Sequence, residues 1–400
     1  MSRLESRPIA LVTHSYYEED PRVRRQAEAI LAAGRPVDVI SLRRQGDPAD
    51  GVVDGVSIHR LDVQRHQGAG IGTYLGEYLG FFVRVAPRLV RRHAQRRYAL
   101  VQVATLPDWL VLAALPLRLV GVPVLIDLHE SMPDFFRSRF PNVANPIAHR
   151  ALRLAERLSI GSASHAITVN DALRDRLIGL GVAPSHVSVV RNTPSLARFN
   201  PATHESRSFM ADGTLRLVYA GALTPTYELD VAVRAVARLG VVRPSLPVRF
   251  DVYGRGDSGP DLAALARDLG IADRVTWHGR IPLDDVPAVI AGADVGLAPT
   301  RRDAFTDASF STKILEYAAM RRPALASRLP LVERTFPDGA VATYVPGDVD
   351  DLAEQILAIV DDPEARSGLV DRAASIVADM AWERDATAYL ALLDRFAPAR

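Results

Sequence analysis

The sequence contains no cysteine. This absence excludes disulfide bonds, thiolate metal ligands and a cysteine nucleophile. No stretch of about eighteen residues is free of charge, and the first residues lack a basic region followed by a long apolar core. We therefore expect no transmembrane helix, no cleaved signal peptide and a cytoplasmic protein. Because 48% of the 400 residues are hydrophobic, a large core can form and global disorder is excluded.

Lysine is nearly missing as well. Of the 48 cationic side chains, 47 are arginines and one, Lys313, is a lysine. Such a bias is typical of a GC-rich coding background, in which arginine replaces lysine wherever both are tolerated. A position that keeps lysine is therefore a candidate for a specific function, since the two side chains are not interchangeable.

The net charge of +1 hides two halves of opposite sign. Residues 1–200 contain 26 arginines and 18 acidic side chains, a balance of +8, whereas residues 201–400 contain 22 cations and 29 acids, a balance of −7. The basic half favours an anionic acceptor or membrane surface as partner. Nucleic acid is not expected, because the arginines are dispersed and lack an interleaved aromatic platform.

Short β-branched runs alternate with helical patterns along the chain, which predicts an α/β fold with parallel sheets. The predicted strands are Ile9–Thr13, Val37–Leu42, Val56–Leu61, Leu100–Ala104, Val122–Asp127, Ala166–Val169, Val187–Val190, Leu215–Ala220, Val248–Tyr253, Val275–Trp277, Val295–Ala298, Ala324–Ser327 and Ala342–Val345. We predict two Rossmann-like domains facing one another across a cleft, with ligands at the carboxyl ends of the strands. The boundaries are residues 1–195 and 215–375, with a linker at 196–214 and a C-terminal helix at 376–400 that packs back on the first domain.

The stretch Pro299–Pro323 is the most informative loop. It enters a helix near Ser311 or Thr312, either of which is a good N-cap. Lys313 lies in the first turn, where a cation opposes the helix macrodipole by roughly 0.3–1 kcal/mol, and a bound phosphate would turn this repulsion into attraction. Glu316, one turn later, could accept hydrogen bonds from the two hydroxyls of a ribose. The alternative interpretation is a solvent-exposed Lys–Glu pair worth about 0.2–0.5 kcal/mol.

The segment FSTKILEYAAMRRPALAS resembles the donor-binding motif of glycosyltransferase family 4, whose members have the GT-B fold. In that family two glutamates separated by seven residues lie here. Glu316 matches the second, which binds ribose, whereas Ala308 occupies the first position, and we expect the neighbouring Asp307 to contact the donor sugar. Phe310 and Ser311 stand where the family has a Phe-Gly pair whose amides meet the pyrophosphate.

Three other segments resemble the same family in order and spacing, so the resemblance covers nearly the whole chain. In LVYAGALTPTYELDVAVRAVARL, Ala222 and Tyr227 replace the Arg and Lys that many members use to hold phosphate, which shifts that charge onto Lys313. RVTWHGRIP resembles the segment that binds the base, and VLIDLHES ends in His129, which matches a histidine facing the donor sugar. The predicted catalytic residues are His129, Asp307 and Lys313, and the predicted donor-binding residues are Gly221, Thr224, Tyr227, Arg255, Arg280, Ile281, Ser309, Phe310, Ser311, Thr312, Lys313 and Glu316.

The resemblance implies a retaining hexosyltransferase that uses a nucleoside diphosphate sugar, with UDP the expected nucleotide, and no metal ion or cofactor. Two alternatives stay open. One is an epimerase or hydrolase acting on a sugar nucleotide. The other is a binding protein with a degenerate donor site, which Ala308, Ala222 and Tyr227 motivate.

A literal G-x-G-x-x-G occurs at Gly254, Gly256 and Gly259. Taken alone it suggests dinucleotide binding. However, it follows the second strand of its domain rather than the first, and Pro260 suits a plain turn before a helix, so NAD is not expected. The loop can still border the donor site through Arg255.

The first loop, THSYYEEDPRVRRQAEAI, predicts a helix with Asp20 as N-cap. Three arginines follow in the first turn, against the macrodipole, and such a broken local rule often marks a binding site. Arginines that pair with neighbouring acids are the alternative. We expect an acceptor-side group of His14, Arg22 and Glu130.

Residues Gly68–Arg97 combine a glycine-rich loop with an aromatic and apolar segment that is basic at one end. Residues 73–97 could lie on an anionic bilayer or contact a lipid-linked acceptor. An ordinary core helix with a basic exposed end is the other interpretation. The acceptor is a glycan, a lipid-linked molecule or a small molecule, among which the sequence does not decide.

Overall fold

The computed structural model describes residues 7–65, 70–140, 145–205 and 207–398. It divides the chain into two compact units, Met1–Asn192 with Glu383–Arg400 and Thr193–Trp382. Each unit has a twisted sheet of parallel strands connected by helices. The prediction of an α/β fold with two Rossmann-like domains is confirmed.

The described residues of the first unit form an eight-stranded sheet in the order β3-β4-β2-β1-β5-β6-β7-β8. Its strands are β1 (Ile9–Val12), β2 (Val37–Leu42), β3 (Asp50–Val53), β4 (Val56–Leu61), β5 (Leu100–Ala104), β6 (Val124–Leu128), β7 (His165–Thr168) and β8 (Val187–Val189). The pairs are parallel except that β3 runs antiparallel to β4. The helices are α1 (Pro21–Ala32), α2 (Ile71–Arg96), α3 (Leu115–Leu119), α4 (Met132–Arg139), α5 (Pro146–Ser162) and α6 (Asp171–Gly179).

The described residues of the second unit form a six-stranded parallel sheet in the order β11-β10-β9-β12-β13-β14. This is the doubly wound Rossmann order. Strands β10 and β11 are added on one side of β9, and strands β12, β13 and β14 are added on its other side, so the switch point lies between β9 and β12. The strands are β9 (Leu215–Ala220), β10 (Val248–Tyr253), β11 (Val275–Gly279), β12 (Val295–Ala298), β13 (Ala324–Ser327) and β14 (Ala342–Tyr344). The helices are α7 (Leu229–Val242), α8 (Gly259–Asp268), α9 (Val286–Ala291), α10 (Thr312–Ala319), α11 (Pro330–Thr335), α12 (Val349–Asp361) and α13 (Pro363–Asp379).

Helix α10 is held against the sheet by one close contact. An ideal Cβ at Gly296 on β12 would lie only 2.6 Å from Cδ1 of Tyr317 and closer still to two other ring atoms, so only glycine lets the ring approach the strand this closely. The Tyr317 hydroxyl donates to the carbonyl of Leu297 (3.1 Å). Lys313 lies one helical turn before Tyr317 on α10. The packing of Tyr317 therefore also fixes the position of the Lys313 backbone.

The described residues 193–205 and 207–214, which cover the expected linker at 196–214 except for residue 206, belong to the second unit. Phe199 is buried in that unit's core, and Phe209 packs against the cluster under β9. Arg207 forms an ion pair with the fully buried Asp294 (2.9 Å). A polar, proline-rich composition predicts a linker, but these apolar and charged anchors bind the segment to the domain.

Helix α14 (Trp382–Phe396) follows α13, and residues from Glu383 onward belong to the first unit. Leu393 is fully buried there, and Asp394 forms an ion pair with Arg35 (2.9 Å). The ring of Phe396 lies 5.3 Å from that of His165. The last helix is therefore part of the core of the first unit.

Candidate active site

Lys313 is buried in the first turn of α10, with 8% of its surface exposed. Its Nζ lies 4.0 Å from the ring centroid of Tyr227 and 5.1 Å from that of Tyr219. Within the described residues no carboxylate pairs with the ammonium and no hydrogen bond reaches it. Buried lysines are almost always paired, and two aromatic faces supply only part of the lost hydration. The ammonium is therefore placed to receive an anionic ligand.

Gly221 makes room for this lysine at the carboxyl end of β9. An ideal Cβ at Gly221 would lie 2.8 Å from Nζ of Lys313 and 3.0 Å from the hydroxyl of Tyr219. Real Cβ atoms do not approach other atoms so closely, so only glycine fits here without moving the lysine. The structure thus brings together Gly221, Tyr227 and Lys313, three of the predicted donor-binding residues.

The loop after β9 is fixed by its own hydrogen bonds. Tyr219 donates from its hydroxyl to the carbonyl of Ala222 (2.7 Å), and the amide of Tyr227 donates to the carbonyl of Thr224 (3.0 Å). The amide of Arg301 donates to the carbonyl of Thr226 (2.9 Å), which joins this loop to the one after β12. A hydrogen bond therefore connects the two loops at the switch point of the sheet, where ligands bind in open α/β sheets.

The first two glycines of the G-x-G-x-x-G segment make room for this loop. A Cβ at Gly254 would lie 2.8 Å from the carbonyl carbon of Gly221, and one at Gly256 would lie 2.8 Å from the amide nitrogen of Leu223. The amide of Leu223 donates to the carbonyl of Arg255 (3.1 Å). Both glycines thus allow two backbones to touch, which explains them without a pyrophosphate.

Arg255, Arg280 and Ile281 follow the carboxyl ends of β10 and β11. Arg255 is exposed, and its Nε lies 3.8 Å from an ideal Cβ position at Gly279. Arg280 is exposed and Ile281 is half-buried. The three residues share the sheet edge that carries Lys313, while their predicted contacts with the base stay a prediction.

The loop from β12 to α10 folds as a compact turn. Oδ1 of Asp303 accepts hydrogen bonds from the amides of Phe305 and Thr306 (both 2.9 Å). Asp307 is 38% exposed and pairs with Arg302 (3.2 Å). Asp307 therefore lies on the surface of the turn, and its contact with a donor sugar stays a prediction.

The amino end of α10 offers unused hydrogen-bond donors. Ser311 is the N-cap, as predicted, but its side chain accepts no capping hydrogen bond. Its hydroxyl is buried and has no partner among the described residues. The first amides of a helix are free and carry a partial positive charge, so this end suits a phosphate. Along this run the structure places the predicted residues Ser309, Phe310, Ser311, Thr312 and Lys313, with the half-buried Glu316 one turn on.

Sequence reasoning missed Glu228, which precedes α7 and is 8% exposed. Burial raises the pKa of its carboxyl, and the charge of Asp230 adds to this. Oε2 accepts a hydrogen bond from the amide of Gly347 (2.8 Å), which ties the loop after β14 to the loop after β9. An acid directly after Tyr227, where the family motif continues, was the available signal.

In the first unit, His129 stands just after the carboxyl end of β6 and is 6% exposed. Its Nε2 lies 3.2 Å from Oδ2 of Asp127, and its amide donates to the hydroxyl of Thr105 (3.2 Å). Its Nδ1 is buried and has no partner among the described residues. Burial opposes ionisation of Asp127, but the charge and hydrogen bond of His129 lower its pKa below the usual range.

Asp20 caps α1, as predicted, by accepting hydrogen bonds from the amides of Arg22 (3.1 Å) and Val23 (3.4 Å). Burial opposes ionisation of Asp20, yet the charges of Arg22 and His129 and a hydrogen bond from Ser15 lower its pKa to about 2. Asp20 thus stays ionised beside Arg22. Because Asp20 also lies close to His129, this pairing places Arg22 near His129.

The arginines of α1 divide between the two interpretations of the first loop. Arg24 forms ion pairs with Glu28 (2.9 Å) and Asp54 (3.2 Å), as the alternative interpretation expected. Burial lowers the pKa of Arg22, but the charges of Asp20, Glu130 and Asp127 outweigh it and raise that pKa. Arg22 therefore lies among the acids next to His129, while its acceptor-side role stays a prediction.

His14 and Glu130 have different surroundings. The His14 ring packs edge-on against Tyr78 (4.9 Å) and Phe81 (5.1 Å), both on α2. Burial, with the nearby charge of Arg65, lowers the pKa of His14 to about 3, so the ring is neutral. Glu130 is half-buried and lines a small cleft with Leu128, Ser131, Glu156, Thr168, Leu173, Arg176 and Leu177.

Asp108, which sequence reasoning missed, lies beside these acids. It opens the 3₁₀ segment Asp108–Ala114 and is fully buried, and neither carboxyl oxygen has a partner among the described residues. Burial and the charge of Glu156 raise its pKa well above the usual range, so the carboxyl binds a proton more tightly than an exposed one. A lone acid inside the apolar run LPDWLVLAALPL was the available signal.

Helix α2 covers most of residues 73–97, for which contact with a membrane or lipid-linked acceptor stays a prediction, whereas Gly68 and Ala69 lie outside the described residues. Phe81, Val85 and Leu89 are fully buried in the core. On the opposite side Leu79 is 57% exposed. The helix is thus a core helix that also presents apolar side chains to solvent.

Within the described residues, no helix is both long and apolar enough to cross a membrane. The same residues contain no group of three or more His, Asp or Glu side chains arranged to hold a metal ion.

Two family models match the chain. Residues 214–362 match the model described as "Glycosyl transferases group 1", and residues 20–193 match the "Glycosyl transferase 4-like domain". Among curated relatives, an alpha-D-kanosaminyltransferase of Streptomyces kanamyceticus is 26% identical over 65% of this chain and 67% of its own length. A D-inositol 3-phosphate glycosyltransferase of Arthrobacter sp. (strain FB24) is 26% identical over 94% of this chain and 90% of its own length.

Solved structures share the fold at low sequence identity. A sucrose-phosphate synthase from Thermosynechococcus elongatus superposes with a TM-score of 0.76 at 18% identity, covering 97% of this chain and 98% of its own. Anabaena Alr3699/HepE in complex with UDP-glucose superposes with a TM-score of 0.71 at 14% identity, covering 97% and 99%. Identities this low show the architecture alone.

Proposed function

The chain is a glycosyltransferase of GT-B type, and on this premise we propose that it transfers a hexose-type sugar from a nucleoside diphosphate sugar, with UDP as the nucleotide. The observation that carries the donor class is the buried ammonium of Lys313 at the amino end of α10, which has no anionic partner among the described residues. A structural neighbour, Anabaena HepE, is described in complex with UDP and with UDP-glucose, which supports this donor.

Lys313 would act on the diphosphate leaving group. Transfer breaks the bond between the anomeric carbon and the diphosphate oxygen, so negative charge develops on that oxygen. A positioned ammonium and helix amides stabilise such charge without reorganising at the moment of reaction. Because the position of the family's first phosphate-binding residue is Ala222, this chain relies on Lys313 more than a member with two cations would.

The roles of the other donor-binding residues follow from the same placement of the donor, with its diphosphate at Lys313. We assign Glu316 to the ribose hydroxyls, Arg280 and Ile281 to the base, and Phe310 and Ser311 to the pyrophosphate through their amides. His129 and Asp307 would contact the sugar. These roles rest on the family resemblance together with the sheet edge at which each residue lies.

We propose retention of configuration, without a covalent intermediate. The acceptor oxygen would attack the face that the diphosphate leaves, and its proton would pass to the departing diphosphate oxygen. The relatives that support sugar transfer include one described as a D-inositol 3-phosphate glycosyltransferase and another as a 2-deoxystreptamine glucosyltransferase. For this chain we propose an anionic or lipid-linked acceptor, which the basic first half favours.

A donor screen tests the proposal. Thermal shift with UDP-, GDP-, dTDP- and ADP-sugars should raise the melting temperature with UDP-sugars most of all, because a ligand that binds only the folded state stabilises it. Calorimetry with UDP should then give a measurable affinity, reduced at least tenfold in Lys313→Ala. Arg238→Ala, which removes an exposed cation on α7, is the matched control. No binding of any nucleotide at millimolar concentration would exclude the transferase.

Incubation of the protein with the bound donor alone separates the rival activities. An epimerase converts the sugar without an acceptor, and a hydrolase releases it at the full rate. A transferase leaves the donor largely intact until an acceptor hydroxyl is present. Binding of UDP with no turnover on any acceptor would favour the degenerate binding protein.

A further inference from the structure

A line of buried hydrogen bonds runs from the C-terminal helix to His129. The Tyr389 hydroxyl on α14 donates to Oε1 of Gln102 on β5 (2.7 Å), and Nε2 of Gln102 donates to Oδ2 of Asp127 on β6 (2.9 Å). The same oxygen lies 3.2 Å from Nε2 of His129. The four residues are 0%, 2%, 1% and 6% exposed in this order, so the line is closed to bulk solvent.

Each link of this line has a fixed direction of donation. Burial and the charge of Asp127 raise the pKa of Tyr389 well above its usual range, so its hydroxyl stays protonated and donates. Since Oε1 of Gln102 accepts from Tyr389, its amide nitrogen must face Asp127. Gln26 on α1 also donates to Oδ2 of Asp127 (2.9 Å), so two amides hold the carboxylate in place.

The carboxylate in turn fixes the imidazole. An ionised Asp127 can only accept hydrogen bonds, so Nε2 of His129 carries the proton that faces it. The other ring nitrogen, Nδ1, is buried without a partner among the described residues. Whenever the ring is neutral, Nδ1 carries a lone pair and is an open hydrogen-bond acceptor at the carboxyl end of β6, where a sugar hydroxyl could donate.

The packing of α14 does not by itself require the Tyr389 hydroxyl. Leu393 is fully buried and Arg35 pairs with Asp394, so other contacts also anchor the helix, and a phenylalanine at 389 would keep the buried ring. A buried hydroxyl is retained without loss only where it makes a hydrogen bond. Here that hydrogen bond goes to the residue that orients Asp127.

We infer that Tyr389 is a positioning residue for His129, which it holds in one tautomer and one orientation through Gln102 and Asp127. The inference rests on the proposed function only for the contact between His129 and the donor sugar. The chain of contacts itself lies within the first unit.

The first test follows the imidazole directly. In protein labelled with ¹⁵N-histidine and assigned by His129→Gln, the Nε2 proton of His129 should be a slowly exchanging, low-field resonance. In Tyr389→Phe we expect this proton to exchange with water about five to ten times faster, because Asp127 is held less firmly. Tyr98→Phe is the matched control: it removes another fully buried hydroxyl, bonded to Asp38 (3.0 Å), outside the line.

An unchanged exchange rate in folded Tyr389→Phe would overturn the inference. If that variant does not fold, Gln102→Met breaks the same line one link closer to Asp127 and is judged by the same criterion. A purely structural role would give equal effects in Tyr389→Phe and Tyr98→Phe.

The second test is a double-mutant cycle on UDP-glucose, with release of UDP as the readout. Tyr389→Phe should lower kcat about threefold to tenfold with little change in KM, yet have no further effect once His129 is alanine. Additive effects would contradict the positioning role. The cycle uses UDP-glucose or whichever sugar nucleotide the donor screen identifies. If the wild-type protein neither binds nor turns over any of them, the proposed function fails, while the exchange experiment still decides the role of Tyr389.

Discussion

At the scale of single residues, Lys313 is the position at which the sequence and the structure most directly support the same interpretation. The composition marks it as the only lysine, and the structure shows it buried between two tyrosine rings with no anionic partner among the described residues. The close fit over Gly221 could not be predicted, because it depends on the approach of α10 to β9. The position of a helix relative to a strand is set by packing and not by either segment alone.

Lys313→Arg tests whether the site needs a lysine. A guanidinium is wider than an ammonium and would meet the backbone of Gly221 and the rings of Tyr219 and Tyr227. We expect kcat/KM for the donor to fall at least tenfold in Lys313→Arg and further in Lys313→Ala, measured by UDP release. Arg249→Lys, an exposed exchange of the same two residue types in the other direction, is the control. Wild-type kinetics in Lys313→Arg would show that any cation suffices.

Asp108 allows a prediction about pH and stability. Its pKa is raised in the folded state, so the folded protein holds this proton more tightly than the unfolded chain does. The stability associated with the proton is therefore present at acidic pH and is lost as pH rises above the ordinary aspartate value of about 4. Asp108→Asn should raise the free energy of unfolding by roughly 1–3 kcal/mol at pH 8 and by much less at pH 4.

Asp134 supplies the control of opposite sign. Burial opposes its ionisation, but hydrogen bonds from Ser131 and Arg137 lower its pKa. Asp134→Asn should therefore lose stability at pH 8, whereas Asp108→Asn gains it. Urea denaturation of both variants at the two pH values measures the difference, and a gain in Asp108→Asn that did not depend on pH would refute the assignment.

At the scale of elements, α2 and α5 share one face of the first sheet. The connections from β4 to β5 and from β6 to β7 step across the sheet in the same direction, so right-handed crossovers place both helices on the same side. Both also pack on the 3₁₀ segment Asp108–Ala114. Their exposed apolar side chains therefore belong to one surface, the apolar-basic face, made of Leu75, Leu79, Val83, Leu154 and Leu158.

The charges on the apolar-basic face have one sign. The only acids of the two helices, Glu77 and Glu156, are buried, whereas Arg84 on α2 and Arg153 on α5 are exposed. A surface with exposed leucines among arginines suits an anionic bilayer. A second copy of the chain fits less well, because a symmetric contact would bring like charges together.

Vesicle sedimentation tests whether the apolar-basic face binds a membrane. The protein should bind vesicles of phosphatidylcholine with phosphatidylglycerol, but not phosphatidylcholine alone, and 0.5 M salt should weaken the binding. The double variant Leu79→Ser with Leu154→Ser should reduce partitioning about tenfold or more, since each leucine contributes roughly 1 kcal/mol or more. Val241→Ser, which removes a 70% exposed valine in the second unit, is the control. Equal binding of all variants would exclude this surface.

The strands show where sequence patterns succeed and fail. The predicted bounds of β2, β4, β5, β9, β10, β12 and β13 match the structure, because each is a short run with apolar side chains at most or at alternate positions, bounded by polar or turn residues. Strand β3 was not predicted, although Asp54-Gly55 is a typical hairpin turn with positive φ at both residues. Its partly exposed antiparallel edge does not fit the alternation of buried strands and helices on which the prediction was based.

At the scale of the whole molecule, the chain returns to its first unit only in its last residues. Composition predicted two domains, but the anchors of residues 193–214 on the second unit are single contacts, such as Arg207 with Asp294, that no composition reveals. The burial of the final helix could not be predicted from composition either. In the sequence Tyr389 and Leu393 are only apolar positions of an amphipathic helix, and their complete burial comes from packing against the rest of the first unit.

A stop after Trp382 tests how far the two units are stabilised independently. It removes Tyr389 and Leu393, both fully buried, and each buried side chain of this size contributes about 1.5–3 kcal/mol. Their loss is a large part of the roughly 5–15 kcal/mol that a domain has, so the first unit should unfold at a much lower temperature. The donor groups around Lys313 lie in the second unit, so UDP binding by calorimetry should persist near the wild-type affinity. A stop after Ala397, which keeps α14, is the control. If the variant stopped after Trp382 melted in one transition at the wild-type temperature, α14 would contribute little to the first unit, and if it lost UDP binding, the donor site would depend on more than the second unit.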